Sequence, residues 1–316
     1  MNILIAGGFG FVGGRLGQHL QQAGHQVILG SRNVRYAPHW LPSSGVALMN
    51  WDDASSLQEV CSGVDIVIQA AGMNAQECAS NSLQALAVNG LATSRLINAA
   101  SIAGVTRFIY LSTAHVYANP LTGIISEELC PRNLHPYATS HLAGENAVLS
   151  AKENGLIEGV VLRLSNAFGA PVDEDVNCWT LLVNNLCRQA VETRKLVLRS
   201  HGLQQRDFIT LKSTSRCLEH FLRLPATALH DGLFNVGGGR AVSIYEIALL
   251  IASRCKAVLG FMPTIERIEP QSQDEAALLE YSVAKLESTG FGIQQDFKSE
   301  IDTTLSFCLK VFSNTP

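Results

Sequence analysis

The chain contains little charge. Only 16% of its 316 residues are Asp, Glu, Lys or Arg, compared with roughly 25% in typical soluble domains. Its 23 basic and 27 acidic side chains leave a net charge of −4 without a long run of one sign, so neither nucleic acid nor an anionic membrane is predicted as a partner. The low charge indicates instead that part of the surface faces a second subunit or a bound ligand.

The eight cysteines form no C-x-x-C pair, and none lies beside a histidine at zinc-ligand spacing, so no metal site is predicted. No apolar run reaches the roughly 18 residues that a membrane span needs. The apolar start, residues 1–12, lacks the basic residues of a secretory leader. We therefore expect a cytoplasmic protein whose cysteines are buried thiols.

Short apolar runs that end at turn residues alternate with segments of helical periodicity. The predicted strands cover residues 2–6, 27–29, 46–49, 65–72, 108–112 and 159–164, and the predicted helices cover 12–23, 54–61, 82–103 and 136–150. Alternation of this kind predicts an α/β protein with a doubly wound parallel sheet.

The regularity changes after Asn166. A helix is predicted over residues 180–192, followed by short strands at 196–199 and 207–210, which together indicate a smaller, mixed α/β lobe. Because no flexible linker separates the two parts, we expect them to share chain segments. The first lobe is assigned to residues 1–165 with returning segments near 208–236, and the second to residues 166–316.

A glycine-rich turn follows the first strand. Gly8, Gly10 and Gly13 fit G-x-G-x-x-G, and Gly7 can take the first position in a G-x-x-G-x-x-G variant. Both patterns bind dinucleotides, because glycine lets the backbone approach a pyrophosphate at a helix N-terminus. An ordinary glycine turn is the alternative, but the flanking strand and helix favour the cofactor. The predicted contacts are Gly7, Gly10, Phe11, Val12 and Gly13.

The second strand ends at Ser31-Arg32 without the carboxylate that would bind the ribose of NAD. A guanidinium suits the 2′-phosphate of NADP, so NADP is the predicted cofactor and NAD the alternative, although Arg32 could also be a solvated loop charge. Asp52 or Asp53 is expected to accept from the adenine amino group, with Asp52 as the assigned residue, and a helix cap is equally consistent. Ala70–Ala71, at the end of the fourth strand, is also assigned to the cofactor.

Five further segments occur in a fixed order: Leu111–Tyr117, Tyr137–His141, Leu162–Gly169, Arg206–Phe208 and Phe234–Gly237. Together with the glycine turn they resemble the extended short-chain dehydrogenase/reductase superfamily, which contains nucleotide-sugar epimerases, dehydratases and ketoreductases. The resemblance covers nearly the whole chain. It implies a Rossmann NAD(P)-binding domain and a nucleotide-sugar substrate.

The resemblance implies that Thr113 hydrogen-bonds the substrate oxygen and that Tyr137 moves a proton during hydride transfer. A tyrosine has a pKa near 10, so acting as a base at pH 7 requires roughly 4 kcal/mol of differential stabilisation. The family provides a lysine four residues after the tyrosine, whose charge favours the phenolate and whose ammonium binds the nicotinamide ribose. In this chain that position is His141.

His141 is therefore assigned to both the catalytic and the cofactor-binding residues. An unperturbed imidazole has a pKa of about 6.5, so roughly a quarter of it would be charged at pH 7. Two alternatives remain open at this point. His141 takes part in a modified proton relay, or the chain is a catalytically weakened NAD(P)-binding homologue that acts as a sensor or scaffold.

Ala114 and His115 follow Thr113, where the sugar dehydratases of the family carry acids. Because elimination of water needs a placed acid and base, epimerisation or keto reduction is favoured over dehydration. For His115, packing near the strand end is favoured over a role as an acid. Asn166 and Arg206 match positions that hold the nucleotide diphosphate, for which an amide and a guanidinium are suitable ligands.

Members of this family commonly pair two long helices from each subunit. The apolar stretch 83–97 and the segment 142–149 could supply such helices here. A homodimer is therefore expected.

Overall fold

The computed structural model describes residues 1–271 and 277–313. The strands are β1 (Asn2–Ala6), β2 (Gln26–Ser31), β3 (Gly45–Leu48), β4 (Ile66–Gln69), β5 (Arg107–Thr113), β6 (Gly123–Ile125), β7 (Glu158–Leu164), β8 (Asn166–Phe168), β9 (Lys195–Val197), β10 (Gln205–Thr210), β11 (Leu233–Val236), β12 (Ala241–Ser243), β13 (Thr264–Glu266) and β14 (Leu279–Tyr281). The helices are α1 (Phe11–Gln22), α2 (Ala54–Cys61), α3 (Ala75–Ser80), α4 (Ser82–Ala85), α5 (Ala92–Ile102), α6 (Pro136–Glu153), α7 (Leu182–Thr193), α8 (Leu211–Arg223), α9 (Ile244–Leu259), α10 (Ala284–Ser288) and α11 (Phe297–Phe312).

Seven strands form one sheet in the order β3-β2-β1-β4-β5-β7-β11, and each neighbouring pair is parallel. Successive residues of β1 point to opposite faces, so Ile3 and Ile5 join one buried cluster with α1 and α8 while Leu4 and Ala6 join another with α2, α5 and α6. A sheet covered on both faces needs apolar residues at every position. The predicted α/β class with a doubly wound Rossmann sheet is confirmed.

The second lobe packs α7, α9 and α11 around its own apolar core. Beside them, β8, β10 and β12 form a three-stranded sheet, and the pairs β9–β13 and β6–β14 form two small ribbons. The chain leaves the large sheet after β7, builds β8 to β10, and then returns to place β11 beside β7. Within the described residues, no helix combines the length and apolar character needed to cross a bilayer.

The predicted helix over residues 82–103 is interrupted. A π-helical segment, Leu86–Leu91, separates α4 from α5. Within this segment the backbone oxygen of Asn89 accepts hydrogen bonds from the Thr93 hydroxyl (2.8 Å) and the Tyr110 hydroxyl (3.3 Å). These contacts belong to the packing of the segment on β5, and helical periodicity alone does not reveal them.

Two long helices, α8 and α9, have no counterpart in the prediction. For α9 a signal was available, because Ser243 and Glu246 form a capping box at its start and Gly260 ends it in a left-handed conformation. The prediction that the cysteines are buried holds for seven of the eight. Cys130 is exposed, because it lies in the loop before α6 and not in a packed element.

Candidate active site

The glycine turn lies between β1 and α1 and is packed too tightly for side chains. Gly7 has a φ of +79°, and a Cβ there would lie 2.6 Å from the backbone nitrogen of Ala71. A Cβ on Gly13 would overlap the carbonyl oxygen of Gly7. Gly10 caps α1 without a side-chain hydrogen bond, so the amides at this helix end have no side-chain cap. The cradle fits the pyrophosphate of a dinucleotide.

The other residues assigned to the cofactor surround this turn. Phe11 and Val12 begin α1, and the backbone nitrogen of Ala70 donates to Ala6 at the end of β1 (2.9 Å). These residues lie at the carboxyl edge of the sheet, where ligands bind in open α/β folds.

The residues predicted to bind the adenosine end lie after β2 and β3. Ser31 is buried and its hydroxyl accepts the backbone N–H of Asn33 (3.1 Å), whereas Arg32 is exposed. Asp52 pairs with Arg95 at 2.5 Å between Oδ1 and Nη1. Of the two possible helix caps, the structure uses Asp53, whose carboxylate accepts the first amides of α2.

Thr113 and Tyr137 lie together at the carboxyl end of β5. Thr113 ends the strand, and its hydroxyl accepts the backbone N–H of His115 (3.2 Å). Tyr137 is the second residue of α6, where its N–H donates to the ring of His135 (3.1 Å). Burial raises the pKa of the Tyr137 phenol above its usual value near 10, and a hydrogen bond from Thr113 partly opposes this rise.

His141 lies one turn after Tyr137 on the same face of α6. The two rings meet edge to face, with centroids 4.6 Å apart. The Nδ1 atom of His141 is 2.9 Å from the hydroxyl of Tyr110. Burial lowers the pKa of His141 to about 4. Because the helix places the ring inside the protein, its charged fraction at pH 7 is smaller than the quarter that an unperturbed imidazole would have.

Tyr110 is a site residue that sequence reasoning missed. It lies in β5 within an apolar strand, and nothing in its neighbourhood along the sequence points to a polar role. Gly144 on α6 leaves room for it, since a Cβ at that position would lie 2.7 Å from the Tyr110 hydroxyl. A buried ion pair between Glu145 and Arg163, with Oε2 and Nη2 2.6 Å apart, fixes α6 against β7 and so holds Tyr137 and His141 in place.

A small recess of about 10 Å³ lies beside this cluster. Its lining includes His115, Asn119, Leu121, Asn166, Gln204, Gln205, Arg206 and Leu279. The structure thus brings together the two residues predicted to hold a diphosphate and adds His115 to them.

Arg206 faces the recess without an acidic partner among the described residues. Its neighbour Asp207 is buried and directs its Oδ1 to the N–H of Gly238 (2.7 Å), and the two side chains form no ion pair. Burial lowers the pKa of the Arg206 guanidinium. Asn166 donates its amide to the backbone oxygen of Asp207 (2.8 Å), which leaves its own Oδ1 available to a ligand.

His115 lies at the strand end, as expected, and it also lines the recess. Its Nδ1 atom is buried and has no hydrogen-bond partner within the part of the chain that the structure describes. Burial lowers the pKa of His115, and the positive charge of Arg206 lowers it further. An imidazole with a lowered pKa therefore lines the recess.

Comparison with known proteins agrees with this arrangement. The sequence model described as "NAD dependent epimerase/dehydratase family" matches residues 3–237. The chain is 31% identical over 255 residues to dTDP-6-deoxy-L-talose 4-dehydrogenase (NAD(P)(+)) of Kitasatospora kifunensis, with 79% of this chain and 77% of that protein covered. It is 25% identical over 283 residues to a Bacillus subtilis protein described as an uncharacterized UDP-glucose epimerase, YtcB, with 84% and 86% covered.

Solved structures show the same fold. MoeE5 in complex with UDP-glucose and NAD superposes with a TM-score of 0.77 at 24% identity, covering 98% of this chain and 99% of that one. The UDP-glucose 4-epimerase of Thermus thermophilus, in complex with NAD, superposes with a TM-score of 0.80 at 19% identity, covering 98% and 100%.

Proposed function

The chain belongs to the NAD dependent epimerase/dehydratase family, and from that premise we propose that it is an enzyme that acts on a nucleotide-linked sugar by hydride transfer, as an epimerase or a ketoreductase. The observation that carries the substrate class is the Arg206 recess. A partly buried guanidinium that forms no ion pair within the described residues fits an anionic group. Asn166 lines the same recess, and the two side chains together suit a diphosphate.

Within this proposal the roles of the catalytic residues follow from their geometry. Thr113 orients the reacting oxygen of the sugar, and the adjacent Tyr137 exchanges a proton with it. The cofactor, when bound, supplies or accepts the hydride. A 4-dehydrogenase at 31% identity supports a reaction at a sugar carbonyl or alcohol.

For the cofactor we propose NADP, with NAD as the alternative. Gly7, Gly10 and Gly13 would hold the pyrophosphate, and the exposed Arg32 would pair with a 2′-phosphate. Dissociation constants for NADP and NAD, measured with the parent and with Arg32→Ala, test this preference. Tighter binding of NAD by the parent, or an unchanged preference in the variant, would show that Arg32 has no such role.

We also propose a cytoplasmic homodimer. Leu83, Leu86 and Leu91 expose 82%, 51% and 47% of their surface beside α6, which leaves an apolar patch for a second copy. Leu96 and Ile97, in the same predicted segment, are buried in the chain's own core. The interface is therefore assigned to the first part of the segment. Sedimentation of the parent and of Leu83→Glu measures whether each protein is a monomer or a dimer.

Calorimetric titration against UDP, GDP, CDP and dTDP tests the substrate class. We expect one nucleotide to bind and Arg206→Ala to weaken it by at least tenfold, since a hydrogen bond to a charged group contributes about 1.5–3 kcal/mol. Arg216→Ala, an arginine on α8 away from the recess, is the control. Binding that Arg206→Ala leaves unchanged would move the substrate to a different chemical class.

The second candidate, a sensor or scaffold, is favoured by the replacement of the family lysine. This candidate predicts that the cofactor binds but that the protein converts no substrate.

A further inference from the structure

One ion pair joins α1, the helix after the glycine turn, to the second lobe. Arg15 of α1 places its Nη1 atom 3.0 Å from Oε1 of Glu300, which lies on α11. The same Nη1 atom donates a hydrogen bond to the backbone oxygen of Ala170 (2.8 Å), in the loop after β8. Because this N–H is directed at Ala170, Arg15 acts on Glu300 through its charge, and Glu300 Oε1 accepts no aligned hydrogen bond within the described residues.

Glu300 is a buried carboxylate whose charge the surrounding helices support. Its side chain exposes 4% of its surface, and Arg15 supplies the only ion pair that it forms in the described parts of the chain. Glu300 lies in the first turn of α11, and its Oε2 atom accepts the backbone N–H of Lys212 at the start of α8 (3.3 Å). Two helix N-termini, each with a partial positive charge, therefore lie beside this carboxylate.

The backbone around this ion pair is packed too closely for larger residues. Gly169 has a φ of +150°, and a Cβ there would collide with the Glu300 carboxylate. A Cβ on Gly14 of α1 would lie 2.5 Å from a methyl carbon of Val172, which is closer than van der Waals contact. The loop 169–172 is thus held between α1 and α11.

The contacts of the ion pair lie at the ends of the two strands that carry the recess residues. Asn166 begins β8, and the loop that Arg15 holds follows this strand directly. Arg206 lies in β10, which pairs with β8 and continues into α8, where Lys212 donates to Glu300. The ion pair therefore holds the carboxyl ends of both strands against α1.

The other end of this connection is the glycine turn. Gly10 caps α1 and Gly13 lies in its first turn, so a pyrophosphate held by this turn would also fix the beginning of the helix. Arg15 follows two residues later on the same helix. A ligand that has already ordered a segment lowers the ordering cost for a second ligand. Fixing α1 should therefore favour one arrangement of Asn166 and Arg206.

We propose that Arg15 and Glu300 couple the two binding sites, so that a dinucleotide at the glycine turn tightens the binding of a nucleoside diphosphate by Asn166 and Arg206. Arg15 is a positioning residue in this proposal, since its guanidinium is bound to the second lobe. The inference rests on the proposed function and adds a coupling free energy between its two sites. Such coupling is reciprocal, so the nucleotide must tighten the dinucleotide by the same factor.

Calorimetric titration measures this coupling. The dissociation constant of the nucleotide that binds, among UDP, GDP, CDP and dTDP, is determined with and without saturating NADP or NAD. In the parent we expect the dinucleotide to tighten the nucleotide by at least about fivefold, the lower end of usual coupling factors. In Arg15→Gln the factor should fall below about twofold, because the charge that joins α1 to α11 is lost. Each ligand alone should still bind.

Arg254→Gln is the matched control. Arg254 of α9 pairs with Asp302 of α11 (Nε to Oδ1, 2.7 Å), two residues from Glu300, but both partners lie in the second lobe. The variant removes an ion pair of α11 without changing a contact of α1, so it should keep the coupling factor of the parent.

A double variant guards against misfolding. Arg15→Gln alone leaves a buried carboxylate without its cation, which is strongly destabilising, whereas Arg15→Gln with Glu300→Gln leaves no buried unpaired charge. The amide oxygen of the new glutamine still offers an acceptor for the N–H of Lys212. This double variant should fold, bind each ligand alone and lack the coupling.

Hydrogen exchange tests the connection without a nucleotide. In the parent, saturating dinucleotide should slow exchange at the Lys212 amide and in the loop 169–172 by at least about twofold. In Arg15→Gln the protection should remain at the glycine turn and disappear at these amides. A merely structural role for Arg15 would instead change their exchange equally with and without dinucleotide.

Three results would overturn the inference. They are a parent whose two ligands bind independently, a coupling factor that Arg15→Gln and the double variant leave unchanged, and a parent in which bound dinucleotide does not alter exchange at Lys212 or in the loop 169–172. If no nucleotide binds, the proposed function fails, and hydrogen exchange still decides whether α1 is coupled to the second lobe. A parent that binds no dinucleotide would overturn both.

Discussion

Two histidines flank the Thr113–Tyr137 pair, and their surroundings differ. His141 lies inside α6 with Nδ1 held by Tyr110, whereas His115 borders the recess with a buried Nδ1 that has no partner in the described residues. Burial lowers the pKa of both rings, that of His141 to about 4. His141 is held by a neighbouring side chain, whereas the Nδ1 atom of His115 is left for a ligand or water.

The largest expected effect comes from removing the hydroxyl of Tyr137. Tyr137→Phe should lower turnover by about 10²–10⁴-fold, the usual contribution of a positioned proton-transfer group. Cofactor affinity should stay within about twofold, because the ring remains in place against His141. Single-turnover kinetics and cofactor titration measure the two quantities. Retained turnover would assign the proton transfer to another group, and His115 would become the first candidate.

A second prediction concerns stability in acid, where a buried histidine and an exposed one should behave differently. The pKa of His141 is about 4 in the folded chain and about 6.5 in the unfolded chain, so the unfolded state binds the proton first. Its contribution to stability is complete above about pH 6.5 and is lost as the pH falls toward 4.

Urea unfolding at pH 7 and pH 4 measures this loss. The parent should lose about 3 kcal/mol more than His141→Gln over this interval, since each pKa unit corresponds to 1.36 kcal/mol. His39→Gln, which changes an exposed histidine outside the site, should follow the parent. Equal losses in the parent and His141→Gln would mean that His141 is accessible to protons in the folded state.

The smallest expected effect lies at His115. If its Nδ1 hydrogen-bonds the substrate, His115→Ala should raise KM for the nucleotide sugar by about two- to tenfold, the range for a neutral hydrogen bond. His115→Asn, which keeps a polar group of similar reach, should recover part of this loss. An unchanged KM together with lower stability would assign His115 to packing alone and remove the contrast with His141.

The sequence predicts the buried strands and the glycine turn well, because short stretches of neighbouring residues determine them. Runs such as Ile3–Ala6 mark buried strands, and the glycines after them mark the turn whose φ of +79° at Gly7 few other residues adopt. The position of His141 after Tyr137 is likewise visible as a four-residue spacing. The burial that lowers its pKa is not visible, because β5 and Tyr110 cover the ring only after the sheet and α6 have packed.

The placement of β11 has a consequence for synthesis on the ribosome. The apolar edge of β7 pairs with residues Leu233–Val236, which are made about 70 residues after it, so this edge stays open while the chain from β8 to α8 is translated. An open, apolar strand edge is a site for mispairing with another chain. Chains that stall between these two strands are therefore the ones most dependent on chaperones.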